Sequence, residues 1–179
     1  MKTLLLTILI SQIAFADYSR SSFKHWINED GDCLNTRQEV LQKESLTPPK
    51  IENCRVVEGK WYDIYSGEYY TNPSELDIDH IVPLKEAWES GADKWTAEKR
   101  KQFANDYDNL IAVDRSLNRQ KGAKDPAQWL PPRKEYICEY IIRWIHIKVK
   151  YTLEMDAKEQ RKVEEIQVII YKFKVDKLI

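Results

Sequence analysis

The segment Leu76-Asp77-Ile78-Asp79-His80-Ile81-Val82 constrains this chain more than any other, because it alternates apolar and polar side chains and then meets Pro83. A period of two is the pattern of a β-strand with one face buried and the other free to carry functional groups. Asp77 and Asp79 lie on the same face of that strand. Leu110-Ile111-Ala112-Val113 is a second short apolar strand, after which Asp114 or Ser116 can cap a short helix running to Gly122. Leu84 to Phe103 is expected to be helical with an interruption at Ser90-Gly91. Apolar residues at Ile137, Ile141, Trp144, Ile145 and Tyr151 recur at helical spacing, and a further helix is expected from Asp156 to Phe173.

Nearer the start, Thr36 with Glu39 forms a capping box, and Val40 and Leu41 begin the buried face of the helix it opens. Ser45 to Asn53 contains Pro48-Pro49 and reads as a connection. Strands are expected at Arg55-Val56-Val57 and at Trp61 to Tyr65, around Gly59-Lys60. Asn28-Glu29-Asp30-Gly31-Asp32 has the look of a calcium loop, but Cys33 stands where an EF-hand needs glycine, so a plain turn is the better reading.

Composition narrows the class. The chain has 179 residues, 28 Lys and Arg against 29 Asp and Glu, and 42% hydrophobic residues. That is the size and polarity of one soluble domain with a real core, which excludes disordered and collagen-like chains. Its six Trp, ten Tyr and four Phe fit either a dense core or a surface that stacks on rings. Residues 1–16 have the parts of a secretory signal: Lys2, the apolar run Leu4 to Ile10, and Ala14-Phe15-Ala16 as a cleavage site before Asp17. The expectation is an exported protein, periplasmic or extracellular, with no membrane contact once the signal is removed. Residues 17–179 would form a single domain, a monomer.

Export permits disulfides, and the three cysteines are Cys33, Cys54 and Cys138. Cys33 and Cys54 flank turn-like sequence and would close a short loop, worth about 3 kcal/mol. Cys138 falls in a helical apolar pattern, where a free buried thiol is expected. The absence of C-x-x-C gives a zinc ribbon no support.

The chain has three histidines. His146 sits on a helix between Ile145 and Ile147, and His25 beside Trp26, so both read as packing or surface residues. His80 differs, since Asp79 precedes it at a strand end and Asn109 and Asn118 follow. Adjacent strand residues face opposite ways, but a strand end can twist so that the aspartate holds a metal while the histidine addresses a substrate beside it.

These residues carry a resemblance. Leu76 to Leu84, Asp108-Asn109-Leu110-Ile111-Ala112-Val113 and Ser116-Leu117-Asn118-Arg119-Gln120-Lys121-Gly122 resemble the HNH endonuclease family, in the secreted branch related to the C-terminal nuclease module of GmrSD-type restriction enzymes. The likeness reaches outward to Asp32 to Leu41, Ser90-Gly91-Ala92 with Trp95, and Phe103 to Asp106, and spans about residues 23–151. Residues 152–179 form a C-terminal helical extension outside it. The resemblance implies an α+β fold with a ββα-metal (His-Me finger) core, surrounding helices and a small N-terminal β-hairpin region. It further implies His80 as general base, Asn109 as the residue orienting its imidazole, and Asp79 and Asn118 as metal ligands. The last position of the family's pattern is often His and is Asn118 here. A carboxylate and an amide oxygen are hard donors that favour Mg²⁺, with Mn²⁺ as the alternative, over zinc.

From Lys99 to Lys124 there are seven basic and three acidic residues. Arg115, Arg119 and Lys121 flank Asn118 and are candidate phosphate contacts, as is Arg37; a solvated helix face is the plain alternative. The resulting expectation is an exported, metal-dependent endonuclease that hydrolyses DNA with little sequence specificity. Its activity should climb between about pH 6 and 8 if His80 titrates like a free imidazole. The rivals are a module that binds extracellular nucleic acid without cutting it and a nuclease acting mainly on RNA.

Overall fold

The computed structural model describes residues 17–176, with side chains through residue 169 and at 171. The expected signal, residues 1–16, lies outside the described residues. The architecture is α+β. In chain order the elements are α1 (Thr36–Glu44), β1 (Lys50–Glu52), β2 (Arg55–Glu58), β3 (Trp61–Tyr62), β4 (Tyr69–Tyr70), β5 (Leu76–His80), α2 (Leu84–Glu89), α3 (Ala97–Ala104), β6 (Leu110–Asp114), α4 (Arg115–Lys121), α5 (Ile137–Tyr151) and α6 (Ala157–Asp176), with short 3-10 turns between.

β5 and β6 pair antiparallel, with Asp79 opposite Ile111 and His80 opposite Leu110. The alternation of β5 is used as its period requires. Leu76 and Ile78, with Leu110 and Ala112 of β6, pack against Val40, Leu41, Val56 and Trp61. On the opposite face Ile111 and Val113 join the larger core built by Tyr65, Phe103, Tyr140, Ile141 and Trp144. Sandwiched between two apolar layers, the strand pair is held without a wider sheet.

α1 fastens the pair as well as covering it. Arg37, Val40, Leu41 and Glu44 fall on one helical stripe. The Arg37 Nη2 donates to the Leu76 carbonyl at 3.2 Å, and the Glu44 carboxylate accepts from the Ala112 amide at 2.8 Å. One open backbone group on each strand is thereby satisfied.

Several elements differ from expectation for identifiable reasons. Asn35, not Thr36, caps α1, its side chain accepting from the Gln38 amide at 3.2 Å. Thr36 is drawn into the helix because its hydroxyl reaches the Ile27 carbonyl and the Asn105 side chain. β2 pairs with β1, a segment read as connection, through a turn in which Asn53 and Cys54 both adopt positive φ, 50° and 60°. The Trp61–Tyr65 strand stops at Tyr62 because the Asp63 carboxylate accepts from the Tyr65 and Ser66 amides, each at 3.0 Å, and turns the chain. Asp114 is the cap of α4, accepting from the Leu117 amide at 2.8 Å. Cys138 is half-buried rather than buried. Among the described residues no helix is long and apolar enough to cross a membrane.

Two cross-links outside the strand pair hold the outer elements. Cys33 and Cys54 are bonded, their Cα atoms 5.5 Å apart, tying the entry of α1 to β2. Lys148 of α5 is 1% exposed, and its Nζ lies 2.6 Å from Glu86 of α2 and 3.1 Å from Glu159 of α6. Ser90 Oγ and the Glu154 carbonyl complete its shell, and the Trp144 indole donates to Glu159 at 2.6 Å. Removing the ammonium would strand two carboxylates, so Lys148→Ala should cost about 3–5 kcal/mol in urea denaturation. Replacing both Cys33 and Cys54 by Ser should cost about 3 kcal/mol in the same assay, from the short loop released in the unfolded chain.

Candidate active site

His80 ends β5, and the chain turning away from it is clamped by Asn109. The Asn109 carbonyl accepts from the Ile81 amide at 2.8 Å, its Oδ1 accepts from the Val82 amide at 2.8 Å, and its Nδ2 donates to the Val82 carbonyl at 3.2 Å. The side chain expected to orient the imidazole thus orients the backbone behind it. The ring itself is held by the Ala104 carbonyl, 2.9 Å from Nε2, and by Trp26, whose ring centroid lies 5.6 Å away at 31°. A carbonyl can only accept, so Nε2 carries the proton and Nδ1 is the atom left to accept one. Burial pushes the imidazole down to about 3, helped by Arg20, Lys121 and His25 and opposed by the Ala104 bond. His80 is neutral at any ordinary pH, and the activity limb expected between pH 6 and 8 from a free imidazole has no basis in this environment.

Asp79 is 4% exposed and doubly bonded. The Tyr65 hydroxyl donates to Oδ2 at 2.7 Å and the Lys121 ammonium to Oδ1 at 2.9 Å; the same ammonium donates to the His80 carbonyl at 2.8 Å. Burial drives the carboxyl up and the ammonium down, while each charge favours the ionised form of the other. Burial likewise raises the Tyr65 phenol, which stays protonated as a donor. Lys121, expected among the phosphate contacts, is completely buried and cannot serve as a surface contact. It lies one helical turn beyond Asn118, on the side of α4 that packs against β5.

Asn118 lines a cavity of about 330 Å³ together with Asp79, His80, Tyr18 and Arg20. Its Nδ2 lies 3.4 Å from Asp77, whose carboxylate also faces Arg115 at 3.8 Å and Arg119 at 3.9 Å. Arg37 spends one nitrogen on the Leu76 carbonyl. Arg119 is the most open of these cations, its side chain 72% exposed. The basic stretch does not form one surface: Lys99 and Arg100 bond backbone carbonyls around Trp95 and Tyr151, and Lys101 pairs with Glu29 and Glu98.

The donors in this cavity fit a hard divalent cation. Asp79 and Asn118, an acid and an amide, line one space, and Mg²⁺ takes one or two carboxylates and keeps several waters. Lys121 sets a condition on that fit, because an ammonium already offsets the charge of Asp79 and lowers its pull on a second cation. Asp30 and Asp32, in the turn compared above with a calcium loop, and Glu39 of α1 place three carboxylate oxygens within 4.8 Å of one another. That trio includes neither Asp79 nor Asn118.

Sequence reasoning named His80, Asp79, Asn109 and Asn118 but missed Tyr65, Trp26 and the Ala104 carbonyl. The Asp63 turn that delivers Tyr65 was a legible signal; a backbone carbonyl has none. His80 also gives the pH dependence of stability a definite sign. Unfolded, the imidazole protonates near 6.5, and folded only near 3. Between these values the unfolded chain binds more protons, so this contribution to stability is present above about pH 6.5 and is lost as pH falls toward 3. The stability difference between wild type and His80→Gln, measured by urea at pH 7 and at pH 4.5, should therefore shift toward the variant at the lower pH.

Comparison with known proteins places these residues in a family. The family described as "GmrSD restriction endonucleases, C-terminal domain" matches residues 35–165, a span that contains Asp79, His80, Asn109 and Asn118. An "Uncharacterized secreted protein" of Arthroderma benhamiae is 42% identical over 145 residues, covering 80% of this chain and 71% of its own. No solved structure matches the chain significantly. Because that match spans residues 35–165, well over half of the chain, the chain belongs to the family of the C-terminal domain of GmrSD restriction endonucleases.

Proposed function

We propose that this protein is an exported endonuclease of the HNH type that hydrolyses DNA phosphodiester bonds with little sequence specificity, using Mg²⁺. The observation that carries the reading is the state of His80. Its Nε2 proton is committed to the Ala104 carbonyl, its Nδ1 is unprotonated, and it shares a cavity with Asp79 and Asn118. The antiparallel pair β5–β6 followed directly by α4 supports the reading of a ββα-metal core. Export is supported by the signal-like residues 1–16 and by the relative named as a secreted protein.

A phosphodiester is an anion that repels hydroxide and has a poor leaving group. Asp79 and Asn118 would hold the cation, which when bound would offset the charge that builds up on the phosphate oxygens. His80 Nδ1 takes the proton from the attacking water as the new P–O bond forms; the P–O bond to the leaving sugar oxygen breaks, and that oxygen takes a proton from solvent. Trp26 and the Ala104 carbonyl keep the ring from rotating out of line. An entering phosphate brings negative charge beside the imidazole and raises its proton affinity, so a base that is weak in the free protein strengthens once substrate is bound. Arg119, open to solvent beside Asn118, is placed to meet a neighbouring phosphate.

The Asp79–Lys121 pair favours a second reading, in which the cavity is already neutralised and the protein binds nucleic acid without cutting it. One assay separates the two. Mature protein incubated with supercoiled plasmid should nick it with Mg²⁺, and both EDTA and His80→Ala should lower the rate at least about a hundredfold. Equal rates for wild type and variant would remove His80 as base, and retention of plasmid without nicking in both would leave the binding module. Running single-stranded DNA and RNA alongside identifies the substrate class.

A further inference from the structure

We propose that Arg37, Arg55 and Arg115 form a second anion pocket that grips a backbone phosphate of the substrate away from the scissile bond; this rests on the nuclease reading above. The three guanidinium-bearing residues line one cavity of about 550 Å³, apart from the one that holds His80, and no Asp or Glu lines it. Asn72 and Ser74 add neutral polar groups to its wall. Asp77 lies 3.8 Å from Arg115 Nε, beyond hydrogen-bond distance, and that Nε is buried without a hydrogen-bond partner. Burial lowers the Arg37 pKa, and Arg115 and Arg55 lower it further while Asp77 opposes them. Three like charges brought together around one space, with a buried donor unsatisfied, are relieved by an anion. The planar guanidinium fork matches phosphate.

The position suits a strand already engaged at His80. Arg37 bonds the Leu76 carbonyl at the start of β5, and His80 ends that strand. Four residues of strand span about 13 Å, which is about four nucleotide steps at 3.4 Å each along B-form DNA. The cross-link sets the pocket's shape: Arg55 follows Cys54, whose partner Cys33 leads into the helix that carries Arg37, and the Gln38 side chain accepts from the Val56 amide at 2.9 Å.

The test reads binding, not cleavage. Arg55 is exposed, so Arg55→Ala leaves the core intact. Affinity of the mature chain for a short duplex DNA is measured in EDTA by fluorescence anisotropy at a series of salt concentrations. Arg55→Ala should weaken binding about three- to tenfold at low salt and reduce the steepness of log K against log salt by about one, while Arg55→Lys keeps the slope. Lys158→Ala, an exposed cation of α6, should change neither. Inorganic phosphate should compete with DNA more effectively for wild type than for Arg55→Ala. Unaltered binding by Arg55→Ala, or an equal loss in Lys158→Ala, overturns the pocket. So does phosphate binding that depends on Arg55 while DNA affinity does not, since the site would then serve the free ion. If Arg55→Ala loses affinity and slope but wild type never nicks plasmid, the pocket stands and the nuclease reading falls; nicking by wild type with no effect of Arg55→Ala fells the pocket alone.

Discussion

The ion pair between Asp79 and Lys121 is the contact on which the arrangement of the site depends. Its two charges are almost wholly removed from water, and an ion pair so placed is stable only when its remaining hydrogen-bonding capacity is used. Tyr65 takes the second carboxylate oxygen and the His80 carbonyl takes a second ammonium proton. One small network therefore joins the end of β5, the inner side of α4 and the turn that carries Tyr65. Asn118 is brought to the cavity because Lys121, one turn later, is pinned beneath it. The imidazole is aimed by the same backbone that the ammonium holds.

Part of the aromatic supply, ambiguous by composition, insulates this network. Tyr65 packs edge-on to Trp129 and Tyr140, with centroids at 5.3 and 6.0 Å, and Tyr140 continues the chain of rings to Trp144. Buried rings keep water from the carboxylate and strengthen the electrostatics inside. Trp26 is the exception that serves the site, since it lies against the imidazole itself. The other plain use of rings, an open stacking platform, has little material: Tyr69 and Tyr107 are exposed but belong to separate elements, and Tyr107 is engaged by Glu39.

Much of the centre of the fold was legible in the sequence because it follows strong periodic rules. β5 announces itself by alternation, β6 by its apolar run, α4 by its Asp114 cap and Gly122 stop, and the cysteine pair by the turn-like sequence it flanks. The site residues were legible as a set, though not in their contacts. That Asn109 would close on Val82, and that Ala104 would receive the imidazole proton, depends on backbone atoms that every residue possesses. Lys121 misled because a lysine on a short polar helix is ordinarily solvated; its burial is decided by the one carboxylate opposite it. β1 was lost behind Pro48-Pro49, and its pairing depends on two residues at positive φ that carry no glycine signature.

Residues beyond Tyr151 carried no functional account in the sequence, and Glu159 gives them a structural one. Through Lys148 the last helix shares a counter-ion with Glu86, and Glu86 sits on the helix that begins just after the turn behind His80. The last helix is thus joined by charge, without the strands, to the helix that follows the His80 turn. A larger assembly that seized this domain by its final helix would hold it by a lever connected to its chemistry.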